Sequence, residues 1–380
     1  MSGRWAWAEV DLGAITHNVG VLREAAAPAE VWAVVKADGY GHGAVAVAGA
    51  ALAAGATGLC VALVQEGVEL RRAGFGAPIL VLSEQPHAQL GELLAAGLTP
   101  TVYSVATVER LVDAGARDVA VHVKVDTGMQ RVGAPPDAAH EVVDAVLAAA
   151  PALRLAGVST HLAVADDPDD PMSARQLADF DGWLAALAPR LAAAGLDRDR
   201  LTVHTANSAG ALAHPGARRS VVRAGIAMYG ISPGPGVDRL ASGLRPAMRL
   251  VARVSFVKPV AAGSRISYGL RHTFERATTV ATVPLGYADG VPRRLSTTGG
   301  EVLVGGRRCP IVGVVTMDQL MVDVGDAPVA IGDEVVLLGR QTGPDGAVDE
   351  IRAEEWADRL DTIGYEIVCG ISGRVERLTG

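Results

Sequence analysis

Short apolar runs that end on polar residues or glycine recur along the first two thirds of the chain. The segments 31–35, 58–63, 78–82, 99–103, 119–125, 155–161, 201–205 and 220–224 have the length and apolar character of buried strands. Helical stretches such as 44–54, 89–96 and 174–193 separate them. Eight such strands alternating with helices predict an α/β fold, a parallel (β/α)8 TIM barrel. A doubly wound open sheet is the alternative, since counting elements does not show closure. In a barrel the active site gathers at the C-terminal strand ends, and there stand Lys36, the segment 124–131, His161, Asn207 with Ser208, and Arg223.

The pattern changes after S-P-G-P-G-V at 232–237, where proline and glycine punctuate the chain. Beyond it, β-branched runs at 250–257, 278–284, 301–304, 309–315, 319–324 and 334–338 follow without intervening helices. One helical stretch, 351–360, precedes the segment 365–371. The expectation is a barrel over 1–235 and a mostly antiparallel β domain over 236–380.

A chain of 380 residues, 49% hydrophobic and 20% charged, has the core of a two-domain globular protein. Its net charge of -8, without a basic stripe, excludes nucleic acid and anionic membrane as expected partners. No apolar run reaches the roughly 18 residues of a membrane span, and residues 1–11 have no signal-like apolar stretch, so the expected location is the cytoplasm. Cys60, Cys309 and Cys369 read as reduced, buried thiols, and no metal site is expected.

The chemistry concentrates first at 31–44, V-W-A-V-V-K-A-D-G-Y-G-H-G-A, where an apolar strand delivers Lys36 to a glycine-rich turn. G-Y-G-H-G-A fits a dinucleotide-binding turn, although Lys36 and Asp38 intervene between strand and glycines. The competing reading is a strand-mounted amine that condenses with the aldehyde of pyridoxal 5'-phosphate.

V-V-K-A-D-G-Y-G-H-G-A resembles the signature of the alanine racemases, and similar motifs continue in order to the C-terminus. The resemblance implies a barrel plus β domain, pyridoxal 5'-phosphate, and a homodimer whose sites are shared between subunits. It makes Lys36 the cofactor lysine and one catalytic base, with Tyr40 on the cofactor phosphate. In V-K-V-D-T-G-M-Q-R-V-G, Arg131 would bind the substrate carboxylate, and Lys124 matches a lysine that the family often carries carbamylated. A plain Lys124–Asp126 pair is the other reading. His161 corresponds to the histidine that bonds the catalytic tyrosine. In H-T-A-N-S, His204 would stack on the pyridine ring and Ser208 bind phosphate. In V-R-A-G-I-A-M-Y-G, Arg223 would face the pyridine nitrogen, and the amides of Gly225 and Ile226 the phosphate. An arginine keeps its proton, so that nitrogen stays unprotonated and the cofactor is a weaker electron sink.

In R-I-S-Y-G, Tyr268 is implied as the opposite-face base, reaching the site from the partner subunit. Tyr287 of G-Y-A-D-G would narrow the mouth, and in T-M-D-Q the Met317 amide would assist Arg131 with Asp318 in support. Tyr365 would contact the cofactor phosphate. The chain departs from the family pattern at Val314, where a corridor arginine that would pair with Asp166 is frequent. It departs also at Thr316, at Ser83, and in R-V-E-R at 374–377. The implied reaction is interconversion of L- and D-alanine, which supplies D-alanine for peptidoglycan. A broader alanine and serine racemase, an amino acid decarboxylase on the same plan, a nicotinamide-dependent oxidoreductase and a noncatalytic cofactor binder remain alternatives. Arg131 speaks against a decarboxylase, since it would hold the group to be expelled.

Overall fold

A computed structural model describes residues 3–380. The chain forms two compact units. One holds Ile15–Gly39 and Ala44–Arg245; the other holds the N-terminal segment through Ala14, Tyr40–Gly43 and Pro246–Gly380.

The first strand, β1 (Ala6–Val10), lies in the second unit. The next eight are β2 (Glu30–Val34), β3 (Gly58–Val61), β4 (Ile79–Val81), β5 (Thr99–Val102), β6 (Val119–Lys124), β7 (Leu153–Ser159), β8 (Thr202–His204) and β9 (Val221–Ala224). They pair in the order β8-β7-β6-β5-β4-β3-β2-β9, every ladder parallel. Sequential order with β9 returning beside β2 is a ring, whereas a doubly wound sheet reverses its order at a switch point. At the seam between β8 and β9, Ser220 N donates to Val203 O and Arg223 N to Ala206 O, both at 3.0 Å. The barrel expectation holds.

Side chains are buried on both faces of these strands, which is why they read as continuous apolar runs. β3 and β4 are buried throughout. Outside, helix Met172–Ala193 turns Phe180, Trp183, Leu184, Leu187 and Leu191, one face of a 3.6-residue period, into the core cluster that also holds Val121 and Val123 of β6. Helix Val105–Asp113 starts where Ser104 Oγ accepts from Thr107 N at 3.2 Å.

Inside the barrel the filling is partly polar: Trp32 of β2, His122 of β6, His204 of β8 and Arg223 of β9 are all buried. Two glycines make the room. A Cβ on Gly58 would lie 2.7 Å from the Trp32 ring, and one on Gly157 would lie 2.6 Å from His122 Cε1 and Thr202 O.

The second unit carries β10 (Met248–Arg253), β11 (Phe256–Val260), β12 (Arg265–Ile266), β13 (His272–Thr273), β14 (Thr278–Val283), β15 (Glu301–Val304), β16 (Arg307–Val312), β17 (Leu320–Gly325), β18 (Glu334–Thr342), β19 (Val348–Ile351) and β20 (Glu376–Thr379). Its main sheet runs β11-β14-β17-β16-β15-β18-β10-β1-β20, antiparallel except where β1 meets β20. The mostly antiparallel expectation holds, with three local corrections. The single strand expected over 250–257 is two, because β10 pairs with β18 and β11 with β14, and one straight strand cannot serve both. The segment 365–371 is mainly helix, Gly364–Cys369. Residues 6–10, expected within the barrel, alternate buried and half-buried as a sheet member and pair with β10. Cys60 and Cys309 are buried thiols as expected, but Cys369 is exposed at its helix end.

Candidate active site

β2 delivers Lys36 into an unusual turn. Ala37, Asp38, Gly39 and Tyr40 have φ of 53°, 51°, 60° and 53°, four left-handed residues in succession. The left-handed conformation costs L-residues about 1–2 kcal/mol each, so the turn persists only because its surroundings hold it. Gly39 N donates to Val35 O and Asp38 Oδ1 accepts from Ala44 N, each at 2.9 Å. Gly41, at φ 81°, has the Val368 carbonyl where a Cβ would stand.

Arg223 is the best-anchored charge in the barrel. Its Nη1 donates to His204 Nδ1 at 2.7 Å and to His204 O at 2.8 Å. Its Nη2 donates to Thr160 O at 3.0 Å, His161 Nδ1 at 3.1 Å and Thr205 O at 3.3 Å. A guanidinium only donates, so both histidines must present an unprotonated Nδ1. His204 Nε2–H then donates to His122 Nδ1 at 2.8 Å. Burial, reinforced by Arg223, pushes His122 down to about 3 and both His161 and His204 well below the usual histidine range, so all three are neutral. Burial lowers Arg223 to about 10, which leaves it charged at neutral pH. With both Nη atoms committed, Nε is the guanidinium donor left without a protein acceptor among the described residues.

Both nitrogens of His204 are engaged, Nδ1 by Arg223 and Nε2 by His122, and its ring is tilted to those of Trp32 and His122, with centroids 6.2 and 5.0 Å away. Ser208 Oγ accepts from Gly225 N at 2.8 Å and Ala227 N at 3.3 Å. The Gly225 amide, expected on the phosphate, is thus spent on Ser208. The Ser208 hydroxyl proton and the Ile226 amide are the donors that remain for an anion.

Lys124 ends β6 and has no ion-pair partner among the described residues. Asp126, the alternative partner, instead accepts from Gly128 N at 2.9 Å and Gln130 N at 3.1 Å, shaping the loop that carries Arg131. Burial and the neighbouring Arg223, Arg131 and Lys36 bring the Lys124 amine down to about 8. Arg131 is exposed on a cleft of about 250 Å³ with Asp126, Gln130 and Val132, and its guanidinium has no counter-ion among the described residues. Burial raises the Cys60 thiol to about 12 against the lowering pull of Arg223 and Lys36, which leaves it inert.

The second unit holds the remaining predicted residues. The Tyr40 and Tyr365 rings lie 6.2 Å apart. Tyr268 stands on an exposed turn between Ser267 and Leu270, both at positive φ, with 74% of its surface open. Tyr287 and Met317 sit on two loops zipped together: Tyr287 N donates to Thr316 O at 2.9 Å and Ala288 N to Met317 O at 3.0 Å. The Met317 amide itself makes no hydrogen bond among the described residues. Under these loops lies buried Asp289, gripped by Arg4 through two bonds of 2.7 Å and by Arg374 at 3.3 Å. Arg374 also holds Asp318 at 2.7 Å.

Sequence reasoning missed His122, Arg4, Asp289 and Glu66. A histidine inside the apolar run V-A-V-H-V-K was a usable signal for the first. The other three show only in the folded chain.

A parallel barrel with a lysine, a guanidinium and neutral histidines at its strand ends, joined to an antiparallel unit presenting exposed tyrosines, defines a two-unit α/β-barrel enzyme. Residues 10–233 match the N-terminal domain of alanine racemase and residues 247–379 its C-terminal domain. The chain is 49% identical to the alanine racemase of Symbiobacterium thermophilum over 99% of its length and 97% of that protein's, and 46% identical to that of Thermobifida fusca over 98% of each. Among solved structures, Bacillus anthracis alanine racemase with bound L-Ala-P superposes with a TM-score of 0.91 at 40% identity, covering 100% of this chain and 96% of that one. The chain belongs to the alanine racemase family.

Proposed function

We propose that this protein interconverts L- and D-alanine with pyridoxal 5'-phosphate, as a homodimer in the cytoplasm, and supplies D-alanine for peptidoglycan. The observation that carries the reading is the buried Arg223, held by two neutral histidines with only Nε left to give. The donor set fits the cofactor. Nε of Arg223 matches an unprotonated pyridine nitrogen, the Ser208 hydroxyl and Ile226 amide suit phosphate oxygens, and Tyr40 and Tyr365 are the further phosphate donors that the family resemblance implies. Lys36 would hold the aldehyde carbon.

When bound, the cofactor supplies the electron withdrawal that makes the alanine Cα proton acidic. Arg131, a fork without a counter-ion, takes the substrate carboxylate bidentately, and the unpaired Met317 amide of the partner copy completes its hold. Tyr287 narrows the mouth beside it. Racemisation needs proton carriers on opposite faces of Cα. Lys36 serves the D-specific proton, and Tyr268 of the other copy, exposed for that purpose, serves the L-specific one. His161, whose Nδ1 is pinned by Arg223, keeps Nε2–H as a donor for the Tyr268 oxygen. Lys124, an amine of lowered pKa without a counter-ion, is suited to add CO2 and release a proton, becoming an anion that steadies Arg131.

Solvent deuterium entering alanine Cα from either enantiomer is the expected result, measured on the purified protein by NMR. Tyr268→Phe should reduce kcat by about 10²–10⁴-fold while leaving the cofactor's visible absorbance in place. No exchange at Cα in the unaltered protein would sink the proposal. A panel of L-alanine, L-serine and L-glutamate separates an alanine enzyme from one that also takes serine.

A further inference from the structure

The left-handed turn after Lys36 has a clamp outside the family motif. Glu66 lies in the first turn of helix Val64–Arg72. Its Oε1 accepts from Ala37 N at 2.7 Å, and its Oε2 accepts from Ala62 N at 2.8 Å and Leu63 N at 3.0 Å. Oε2 therefore fixes the carboxylate to the end of β3 and the start of its own helix, and Oε1 reaches the first residue beyond Lys36. Ala37 is also the first of five successive residues with positive φ, two of its four successors being non-glycine. A left-handed alanine relaxes to an ordinary conformation unless something holds its peptide. Gly39 N and Ala44 N secure the later part of the turn, but the Ala37 amide has Glu66 alone.

We infer that Glu66 is a positioning residue: by holding the Ala37 amide it keeps the strained turn closed and so sets where the Lys36 amine points. The inference rests on the reading that Lys36 carries the cofactor. Lysine usage makes it testable, because the chain has only Lys36, Lys124 and Lys258. Borohydride reduction with pyridoxal 5'-phosphate followed by peptide mass mapping therefore reports on Lys36 directly.

The test uses the full chain and two readouts other than turnover. In Glu66→Ala, deuterium exchange at residues 37–40 should quicken by about tenfold, the scale of the strain released, and trapping of the cofactor on Lys36 should slow by a similar factor. Ala37→Gly in the Glu66→Ala background should recover a large part of that trapping, because glycine takes positive φ without steric cost. Mere capping of helix Val64–Arg72 would not respond to Ala37→Gly, and would quicken exchange only around 62–70. Should Glu66→Ala fail to fold, Glu66→Gln keeps one acceptor and should show the same defects in weaker form. Unchanged exchange and trapping, or a defect that Ala37→Gly leaves untouched, would overturn the inference. Failure to trap Lys36 in the unaltered chain would overturn the cofactor reading itself, and the inference with it.

Discussion

Protonating His122, His161 or His204 would put a second cation against Arg223 and remove the acceptors that hold or align it. The folded histidines therefore titrate below the unfolded value of about 6.5, and between the two values the unfolded chain binds more protons. Stability is full above about 6.5 and falls as pH drops, by about 1.4 kcal/mol per pH unit for each histidine. Urea midpoints at successive pH values from 7 to 5 should show this loss, and His122→Gln should lessen its slope. Gly157→Ala would press a methyl group on His122 and Thr202 O from 2.6 Å, and should cost about 1–3 kcal/mol in the same assay. Lys124 offers a separate test. With an amine near 8, the protein should show a carbamate signal in 13C-bicarbonate by NMR, and Lys124→Arg should abolish it. The motif residues at this scale were legible in the sequence through the family resemblance. Their hydrogen-bond partners were not: Arg223 and His161 are 62 positions apart, and only the folded barrel joins them.

Asp289 shows how elements cooperate in the second unit. Its side chain is buried, and it joins the segment before β1, the loop bearing Tyr287 and the turn after helix Gly364–Cys369. Asp289 is wholly buried but its partners Arg4 and Arg374 are 30% and 46% exposed, so removing the carboxylate leaves cations that water reaches, and the cost is about 1–3 kcal/mol. Asp289→Ala should therefore destabilise the protein by about that amount in urea unfolding, and deuterium exchange should quicken in both loops, 286–290 and 315–319. Unaltered exchange at 315–319 would show that the Met317 loop stands without this support. Strand runs were readable because both faces of the barrel strands are buried and mostly apolar, with His122, His204 and Arg223 as polar exceptions. The split of 250–257 was not, because it depends on two different neighbouring strands, and neither is visible from the run itself.

At the scale of the whole molecule, the proposed exchange of Tyr268 between copies makes a quantitative expectation. Lys36→Arg and Tyr268→Phe chains should each be nearly inactive. Allowed to exchange subunits, they should regain about a quarter of the unaltered activity, since half the dimers are mixed and each mixed dimer has one intact site of two. A mixture no more active than its parts would mean that Lys36 and Tyr268 act from the same chain. No helix among the described residues is long and apolar enough to cross a membrane.

By itself the sequence determined the alternation that becomes a barrel, the change to β-rich structure after residue 237, and the chemistry available at each strand end. These are local properties: the period of apolar positions and the identity of the residue that ends each run. The tertiary structure decided what is not local. It joined β9 to β2, spent the Gly225 amide on Ser208, bonded His204 to Arg223, and brought Glu66 across 29 residues to the amide after Lys36. Hydrogen bonds satisfy whichever buried groups the fold brings within reach, and that reach is set by packing, which no single stretch of residues contains.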